Sequence, residues 1–215
     1  NVVIDRVPRG ENFVSGRSHC DSCGKVIAWY DLIPVASYLV LRGRCRYCHS
    51  KIPVRGFFIE IFGGLSGVFC FYRFGFEYET ILMFVIAMIL LAITMIDFDT
   101  MIIPDGLNIA MFLVCLVLMF VRQMSLVDSI IGMFCISLPM FLLNLVIPDS
   151  FGGGDIKLMF ASGIALGWKY SLLAAFIGIL IAGIYCIYLI LTKKVDKKGH
   201  IAFGPYLSIG IFIAL

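Results

Sequence analysis

Two aspartates lie at the ends of hydrophobic segments that otherwise carry almost no charge, and carboxylates in such places can do chemistry. Asp97 ends one apolar run, and Asp155 follows three consecutive glycines at 152–154. A carboxylate near the bilayer core costs roughly 2.5–3.5 kcal/mol on insertion scales, so its presence there points to a function. Together, Asp97 and Asp155 predict a pair of carboxylates that activates water.

Peptide hydrolysis by two carboxylates requires one ionised group that takes a proton from water and one protonated group that polarises the scissile carbonyl. Two carboxylates a few ångströms apart share one proton and meet this requirement as a unit. Each aspartate also has a simpler interpretation. Asp155 opens a helical run, where it could be the N-cap, and Asp97 could lie solvated at the membrane–water boundary. Asp99 and Asp105 fit this boundary role better.

The eight cysteines divide into two sets. One set forms two C-x-x-C pairs, Cys20 with Cys23 and Cys45 with Cys48, separated by 21 residues. This spacing predicts two knuckles that hold one zinc ion through four thiolates. Two disulfides or a redox C-x-x-C are the alternatives; a reducing cytoplasmic location argues against the first, and duplication of the pair against the second. The other cysteines lie singly in apolar segments and are expected to pack as small hydrophobic side chains: Cys70, Cys115, Cys135 and Cys186.

Four thiolates leave no open coordination position for water, so the predicted zinc is structural rather than catalytic. The loop that carries them has few large aliphatic side chains and cannot bury much of a core alone. Zinc binding contributes on the order of 10–16 kcal/mol to the folding of such modules. We therefore expect the metal to hold this loop together.

The composition identifies a membrane protein. Of the 215 residues, 61% are hydrophobic and 14% are charged, against about 45–50% and about 25% in soluble domains. We predict an all-α polytopic membrane protein with seven visible transmembrane helices, of which the third, fifth and last are shorter than a usual span of about 17–25 residues. The predicted spans are 57–74, 80–96, 107–121, 126–147, 156–168, 171–191 and 201–215.

This division predicts two domains, a cytoplasmic zinc-binding loop domain at 1–56 and a transmembrane domain at 57–215. The residues Asn1-Val2-Val3-Ile4 are typical of the end of an apolar segment, so we expect a further span before them. Glu60 lies near the start of the first predicted span. It is expected to form a structural pair with a loop arginine such as Arg55 or to reach the interface, with a role in methyl transfer as the alternative.

The basic residues are concentrated in two loops, 5–56 and 193–198. If the first loop is cytoplasmic, alternation through the helices places the second on the same side, as the positive-inside rule requires. The same alternation puts Asp97 and Asp155 at the cytoplasmic face. Nucleic-acid binding is not expected, because no recognition module with aromatic and basic residues accompanies these charges. We do expect these basic residues to be attracted to anionic lipid headgroups.

Further motifs accompany the aspartates and cysteines. They are Arg6-Val7-Pro8-Arg9-Gly10-Glu11, Arg17-Ser18-His19-Cys20, Trp29-Tyr30-Asp31, Ile33-Pro34-Val35, Leu41-Arg42-Gly43-Arg44-Cys45, Asp97-x-Asp99-Thr100, Pro104-Asp105, Lys157-Leu158 and Phe203-Gly204-Pro205-Tyr206. With these motifs the chain resembles, nearly end to end, the bacterial type IV prepilin peptidases of pili, type II secretion and competence systems. The motif Gly-x-Gly-Asp alone is weak evidence for this family, because presenilin-like and archaeal preflagellin peptidases also carry it. The four-cysteine loop combined with both aspartate motifs is specific.

The resemblance implies that Asp97 and Asp155 are the catalytic pair of a GxGD intramembrane aspartyl protease in the bacterial cytoplasmic (inner) membrane. It implies cleavage of the short basic leader of a prepilin or pseudopilin at the cytoplasmic face, typically after Gly and before Phe. It also implies N-methylation of the new N-terminus with S-adenosyl-L-methionine. Members of this family typically have eight transmembrane helices. No G-x-G-x-x-G follows a strand, so the residues that bind the methyl donor remain unknown.

Three alternatives stay open at this point. A transporter or channel would use the two aspartates as proton or cation sites. A membrane scaffold would use the zinc loop to dock partners. A protease without methyl transfer would resemble the archaeal relatives, although the intact cysteine loop argues against this alternative.

Overall fold

The structure is a computed structural model that describes residues 1–8, 10, 12, 17–148, 150–192 and 201–215. In these residues the secondary structure is helical apart from two isolated β-bridges, which confirms the predicted all-α class. The lysine-rich loop 193–198 lies outside the described residues. The helices are α1 (Val2–Arg6), a 3₁₀ helix (Trp29–Leu32), α2 (Ala36–Val40), α3 (Val54–Phe74), α4 (Tyr78–Thr100), α5 (Asp105–Val121), α6 (Leu126–Val146), α7 (Gly153–Leu191) and α8 (Gly204–Ala214).

The chain forms two compact units, Asn1–Phe69 and Cys70–Leu215. The first contains the cysteine pairs, the short helices and most of α3. The second contains the end of α3 and all of α4 to α8. The functional division predicted at residue 56 stays a prediction.

Four helices in the described part of the chain are long and apolar enough to cross a membrane, namely α3, α4, α6 and α7. The helices α5 and α8 are also apolar but have only 17 and 11 residues. Large apolar side chains are exposed on the long helices, for example Phe62 on α3, Leu145 on α6 and Ile184 on α7. Such a surface is costly in water and suits a lipid environment. These helices support the prediction that the chain is a membrane protein. The count of seven spans stays a prediction.

Helix α7 is divided by Gly167, which has φ 66° and ψ 177°. Glycine adopts this conformation without a Cβ clash. The limb after Gly167 packs antiparallel to α8, with Ala174 beside Gly210 and Gly178 beside Leu207. The two limbs correspond to the two helices predicted at 156–168 and 171–191, although the break comes at Gly167 rather than after Trp168.

The first limb of α7 is held against α6 by direct backbone contact. A Cβ added at Gly132 would overlap the carbonyl oxygen of Gly163, and one added at Gly163 would overlap that of Gly132. Such small residues allow helices to approach closely in membranes. Leu158 and Met159, on the same limb, are fully buried in the apolar core of the second unit. This packing fixes the start of α7, where Asp155 lies.

Candidate active site and candidate metal centre

Asp97 lies in the last turn of α4 and is 4% exposed. The predicted span at 80–96 stops short of this residue, but the helix continues to Thr100. It ends at Met101, which takes a left-handed conformation with φ 54° and donates its N–H to the Asp97 carbonyl oxygen over 2.9 Å. The Asp97 side chain accepts a hydrogen bond at Oδ2 from the N–H of Gly204, also 2.9 Å. Because Gly204 opens α8, the carboxylate lies at a helix N-terminus, where N–H groups and the dipole favour an anion.

Asp155 is the third residue of α7 and is 6% exposed. The N-cap of α7 is Gly152, and Asp155 lies within the helix, so the interpretation of Asp155 as an N-cap is wrong. Its Oδ1 is buried and has no hydrogen-bond partner among the described residues. A buried carboxylate oxygen left without a donor is expensive, which points to water or a ligand as the missing partner.

The loop between α4 and α5 joins the two carboxylates. A Cβ added at Gly154 would lie 2.7 Å from Ile103 Cβ, and one added at Gly204 would lie 3.1 Å from Ile103 Cδ1. Ile103 therefore packs between the residue before Asp155 and the residue that binds Asp97. The structure thus brings the two predicted residues together at one end of the second unit.

The other two aspartates of this region behave differently. Asp99 and Asp105 are both exposed, as their predicted boundary role requires. Asp105 forms an ion pair with Lys157, with Nζ and Oδ1 2.6 Å apart. Asp97 and Asp155 are therefore buried, whereas Asp99 and Asp105 are exposed.

Sequence reasoning missed two residues of this site. From the sequence, Gly204 stands out only as part of the motif Phe203-Gly204-Pro205-Tyr206, and Asn108 does not stand out from its apolar run. Asn108 is buried in the first turns of α5 and donates from Nδ2 to the carbonyl oxygen of Gly154 over 3.4 Å. Its Oδ1 has no partner within the part of the chain described. An amide in an apolar helix was the available signal, since such residues are rarely buried without a role.

We expect Gly204→Ala to destabilise the second unit by about 1–3 kcal/mol, the usual cost of overpacking. The new Cβ would lie 2.7 Å from Asp97 Oδ2 and 3.2 Å from Asp97 Cγ, so the carboxylate has to move. The measurement is the thermal unfolding midpoint in detergent. Gly183→Ala in α7 is the matched control, because a Cβ there meets no atom of the described residues within 4 Å. Equal midpoints for the two variants would show that Asp97 is loosely held.

The four predicted zinc ligands converge in the first unit. The Sγ atoms of Cys20, Cys23, Cys45 and Cys48 all lie within 4.8 Å of one another, and the Cys20 and Cys48 sulfurs are 3.8 Å apart. Thiolates at ~2.3 Å from a tetrahedral zinc are about 3.8 Å apart, whereas a disulfide requires about 2.05 Å. All eight cysteines are free thiols. The donor set and its spacing fit zinc and do not fit the disulfide alternative.

The two C-x-x-C pairs form two knuckles with the same backbone hydrogen bonds. In the first, Cys20 N–H donates to the Lys25 carbonyl and Gly24 N–H donates to the Cys20 carbonyl; in the second, Cys45 N–H donates to Ser50 and His49 N–H to Cys45. The lengths are 2.8–3.0 Å. The positions after the second cysteine of each pair, Gly24 and His49, are left-handed, with φ 67° and 57°. The sequence repeat is therefore a structural repeat.

Metal binding requires the thiolate form, and the surroundings of the four thiols favour it unequally. Desolvation and the neighbouring sulfurs of Cys20 and Cys48 raise the pKa of the Cys23 thiol to about 11. Hydrogen bonds from the backbone N–H groups of Cys23 and Ser22 lower the pKa of the Cys20 thiol to about 6. Hydrogen bonds from the Ser50 side chain and backbone lower the pKa of Cys48. Beside the cluster is a cavity of about 180 Å³, whose lining includes Ile27, Asp31, Arg46, Tyr47 and Pro53.

Comparisons with known proteins match both units of the chain to leader peptidases. The family model described as Bacterial Peptidase A24 N-terminal domain matches residues 1–74, and the one described as Type IV leader peptidase family matches 84–187. Relatives named prepilin leader peptidase/N-methyltransferase include that of Vibrio cholerae, which is 30% identical over 94% of this chain and 90% of its own. The relative from Aeromonas hydrophila is 32% identical over 95% and 72%. The relative from Myxococcus xanthus is 34% identical over 79% of this chain but only 52% of its own. No solved structure matches the chain.

Proposed function

The chain belongs to the type IV leader peptidase family, and on this premise we propose that it cleaves the basic leader peptide of type IV prepilins or prepilin-like pseudopilins. It is a peptidase by family. The observation that carries the proposal beyond the family is the buried pair, Asp97 and Asp155, with one carboxylate oxygen that has no donor within the described part of the chain. Such an oxygen is where an attacking water would bind.

In the proposed mechanism the two aspartates act as an aspartyl dyad. The ionised carboxylate takes a proton from water while the protonated one donates to the scissile carbonyl oxygen. The water oxygen bonds to the carbonyl carbon, the carbon–nitrogen bond then breaks, and the leaving amine takes up a proton. The N–H of Gly204 orients Asp97, and Asn108 supports the start of α7 through Gly154.

The proposed arrangement has seven membrane-crossing segments, with the two limbs of α7 counted separately from α3, α4, α5, α6 and α8. The end of α4 and the starts of α7 and α8 meet at the aspartate pair. The start of α4 and the end of α8 meet at Arg122, which donates to Glu79 over 2.7 Å and to the Leu215 carbonyl over 3.2 Å. The concentration of basic residues in 5–56 and 193–198 supports a cytoplasmic position for the aspartates in the bacterial inner membrane.

We further propose that the first unit binds structural zinc and takes part in methyl transfer. The four thiols fit the metal, and the name of the relatives pairs a peptidase with an N-methyltransferase. The methyl donor would be S-adenosyl-L-methionine, which supplies an activated methyl group. The 180 Å³ cavity beside the cysteines is a candidate position for part of the donor. When bound, the donor would supply its methyl group to the new N-terminal nitrogen, which would lose a proton.

The test is conversion of a full-length prepilin in liposomes that contain the purified protein. We expect mass spectrometry to show a shortened product, and one added methyl group on that product when S-adenosyl-L-methionine is supplied. Without the donor, cleavage should continue and methylation should stop. Ion flux without any shortened product would favour the transporter, and cleavage without methylation in the presence of donor would favour the protease alone.

A further inference from the structure

The segment 29–40 of the first unit exposes an unusual set of large apolar side chains. Trp29 is 75% exposed, Leu39 61% and Val40 76%. Tyr30, Leu32 and Ile33 are also exposed. An exposed group of this kind marks an interaction site in a soluble domain. Neither the aspartate pair nor the cysteine cluster makes use of it.

This segment is fixed to the first turns of a candidate membrane span. The N–H of Val35 donates to Glu60 Oε2 over 2.8 Å, and Asn1 Nδ2 donates to Glu60 Oε1 over 2.9 Å. The ring of Tyr38 packs on that of Phe57 with centroids 4.8 Å apart. Phe57 and Glu60 are the fourth and seventh residues of α3, so at 1.5 Å per residue they lie about 5–9 Å along that helix. Glu60 therefore binds Asn1 and the backbone of this segment, whereas the sequence predicts a loop arginine such as Arg55 as its partner.

A second contact holds the aromatic end of the segment. Arg46 donates from Nε and Nη2 to the two carboxylate oxygens of Asp31, over 2.8 and 2.6 Å, and its guanidinium lies 5.1 Å from the centre of the Tyr30 ring. Asp31 is in the 3₁₀ helix beside Trp29. These bonds lower the pKa of the Asp31 carboxyl, so Asp31 stays ionised and paired. The exposed Trp29 is therefore presented from a restrained turn.

The chemistry of the segment matches the membrane–water interface. Trp and Tyr are enriched at the headgroup level, where their rings meet both lipid and water. Arg42 and Arg44 follow the segment directly and are exposed, and basic side chains near the surface attract anionic headgroups. We propose that segment 29–40 lies in the headgroup layer of the bilayer and anchors the cysteine-rich unit to an anionic membrane surface. The inference stands apart from the proposed catalytic function.

Tryptophan fluorescence tests this proposal, since the chain has only two tryptophans. The variant Trp168→Phe leaves Trp29 as the single reporter in the full chain, reconstituted in vesicles with lipids brominated either near the headgroup or deep in the acyl chain. We expect a blue-shifted emission, strong quenching by shallow bromines and weak quenching by deep ones or by aqueous iodide. The converse variant, Trp29→Phe, measures the background from Trp168.

Two further results decide the outcome. Replacing Arg42 and Arg44 together by Gln should reduce the shallow quenching in vesicles with anionic lipid and leave it unchanged in neutral vesicles, while bound zinc shows that the unit remains folded. Quenching by iodide with no effect of brominated lipid would overturn the proposal. Protection from both quenchers would also overturn it, because a second copy or a substrate would then cover Trp29.

Discussion

Replacing Asp155 with Asn should lower leader cleavage by at least about 10²-fold, the lower end of what one acid–base group contributes. The substitution keeps the shape of the side chain but removes the charge and the proton that the pair shares. The measurement is the single-turnover rate of leader release from a full-length prepilin in liposomes. Asp99→Asn is the matched control, because Asp99 is an exposed carboxylate two residues from Asp97 on α4. Its rate should match that of the parent chain.

The same substitution should not lower the stability of the fold. Asp155 Oδ1 has no donor among the described residues, and the buried Asp97 carboxylate lies on the other side of Ile103. Replacing one of two buried carboxylates by an amide relieves this cost. We expect an unchanged or higher unfolding midpoint, as for other residues kept for activity at the expense of stability. A falling midpoint, or cleavage that persists in Asp155→Asn, would contradict the catalytic assignment.

Double substitution separates a dyad from two independent groups. If Asp97 and Asp155 act as one unit, the variant with both changed to Asn should lose little more activity than either single variant. Multiplied losses would indicate that the two carboxylates serve different steps. The Gly204 N–H can still bind an Asn side-chain oxygen at position 97, so the local hydrogen bond is kept in this comparison.

The sequence predicts the site residues because their motifs are local. Two C-x-x-C pairs and a carboxylate after three glycines each span a few residues, and each restricts the chemistry that is possible. The partner of Asp97 could not be predicted in this way, since Gly204 is 107 residues further along the chain. Only the packing of α8 against α4 brings its N–H to the carboxylate. Tertiary packing also decides that Asp155 Oδ1 has no donor among the described residues, and the sequence motif does not indicate this.

Helix ends were predicted less well than helix identity. Hydropathy ends the second span at Ile96, because the residues after it are polar, but the backbone continues as helix through Thr100 and stops at the left-handed Met101. A non-glycine residue seldom takes this conformation, so the sequence carries no signal for it. His49 in the second knuckle is a similar case: the first knuckle has glycine at the equivalent position.

Removing the zinc should unfold the cysteine-rich loop. Zinc binding contributes on the order of 10–16 kcal/mol in such modules, which matches or exceeds the total stability of ordinary domains, about 5–15 kcal/mol. We expect Cys45→Ser or a strong chelator to release the metal. The backbone amides of Cys20 and Cys45, which donate to Lys25 and Ser50, should then lose protection in hydrogen exchange followed by mass spectrometry. Methyl transfer should be lost with the metal.

Cys186→Ser is the matched control, because Cys186 is a half-buried thiol of α7, outside the cluster. It should keep both the zinc and the exchange pattern of the parent chain. Leader cleavage should fall less than methyl transfer on zinc loss, since Asp97 and Asp155 both lie in the second unit. Purified protein with four oxidised cysteines and no zinc would revive the disulfide alternative. Unchanged exchange after zinc loss would show that the knuckles fold through their own hydrogen bonds, and a structural role for the metal would then be wrong.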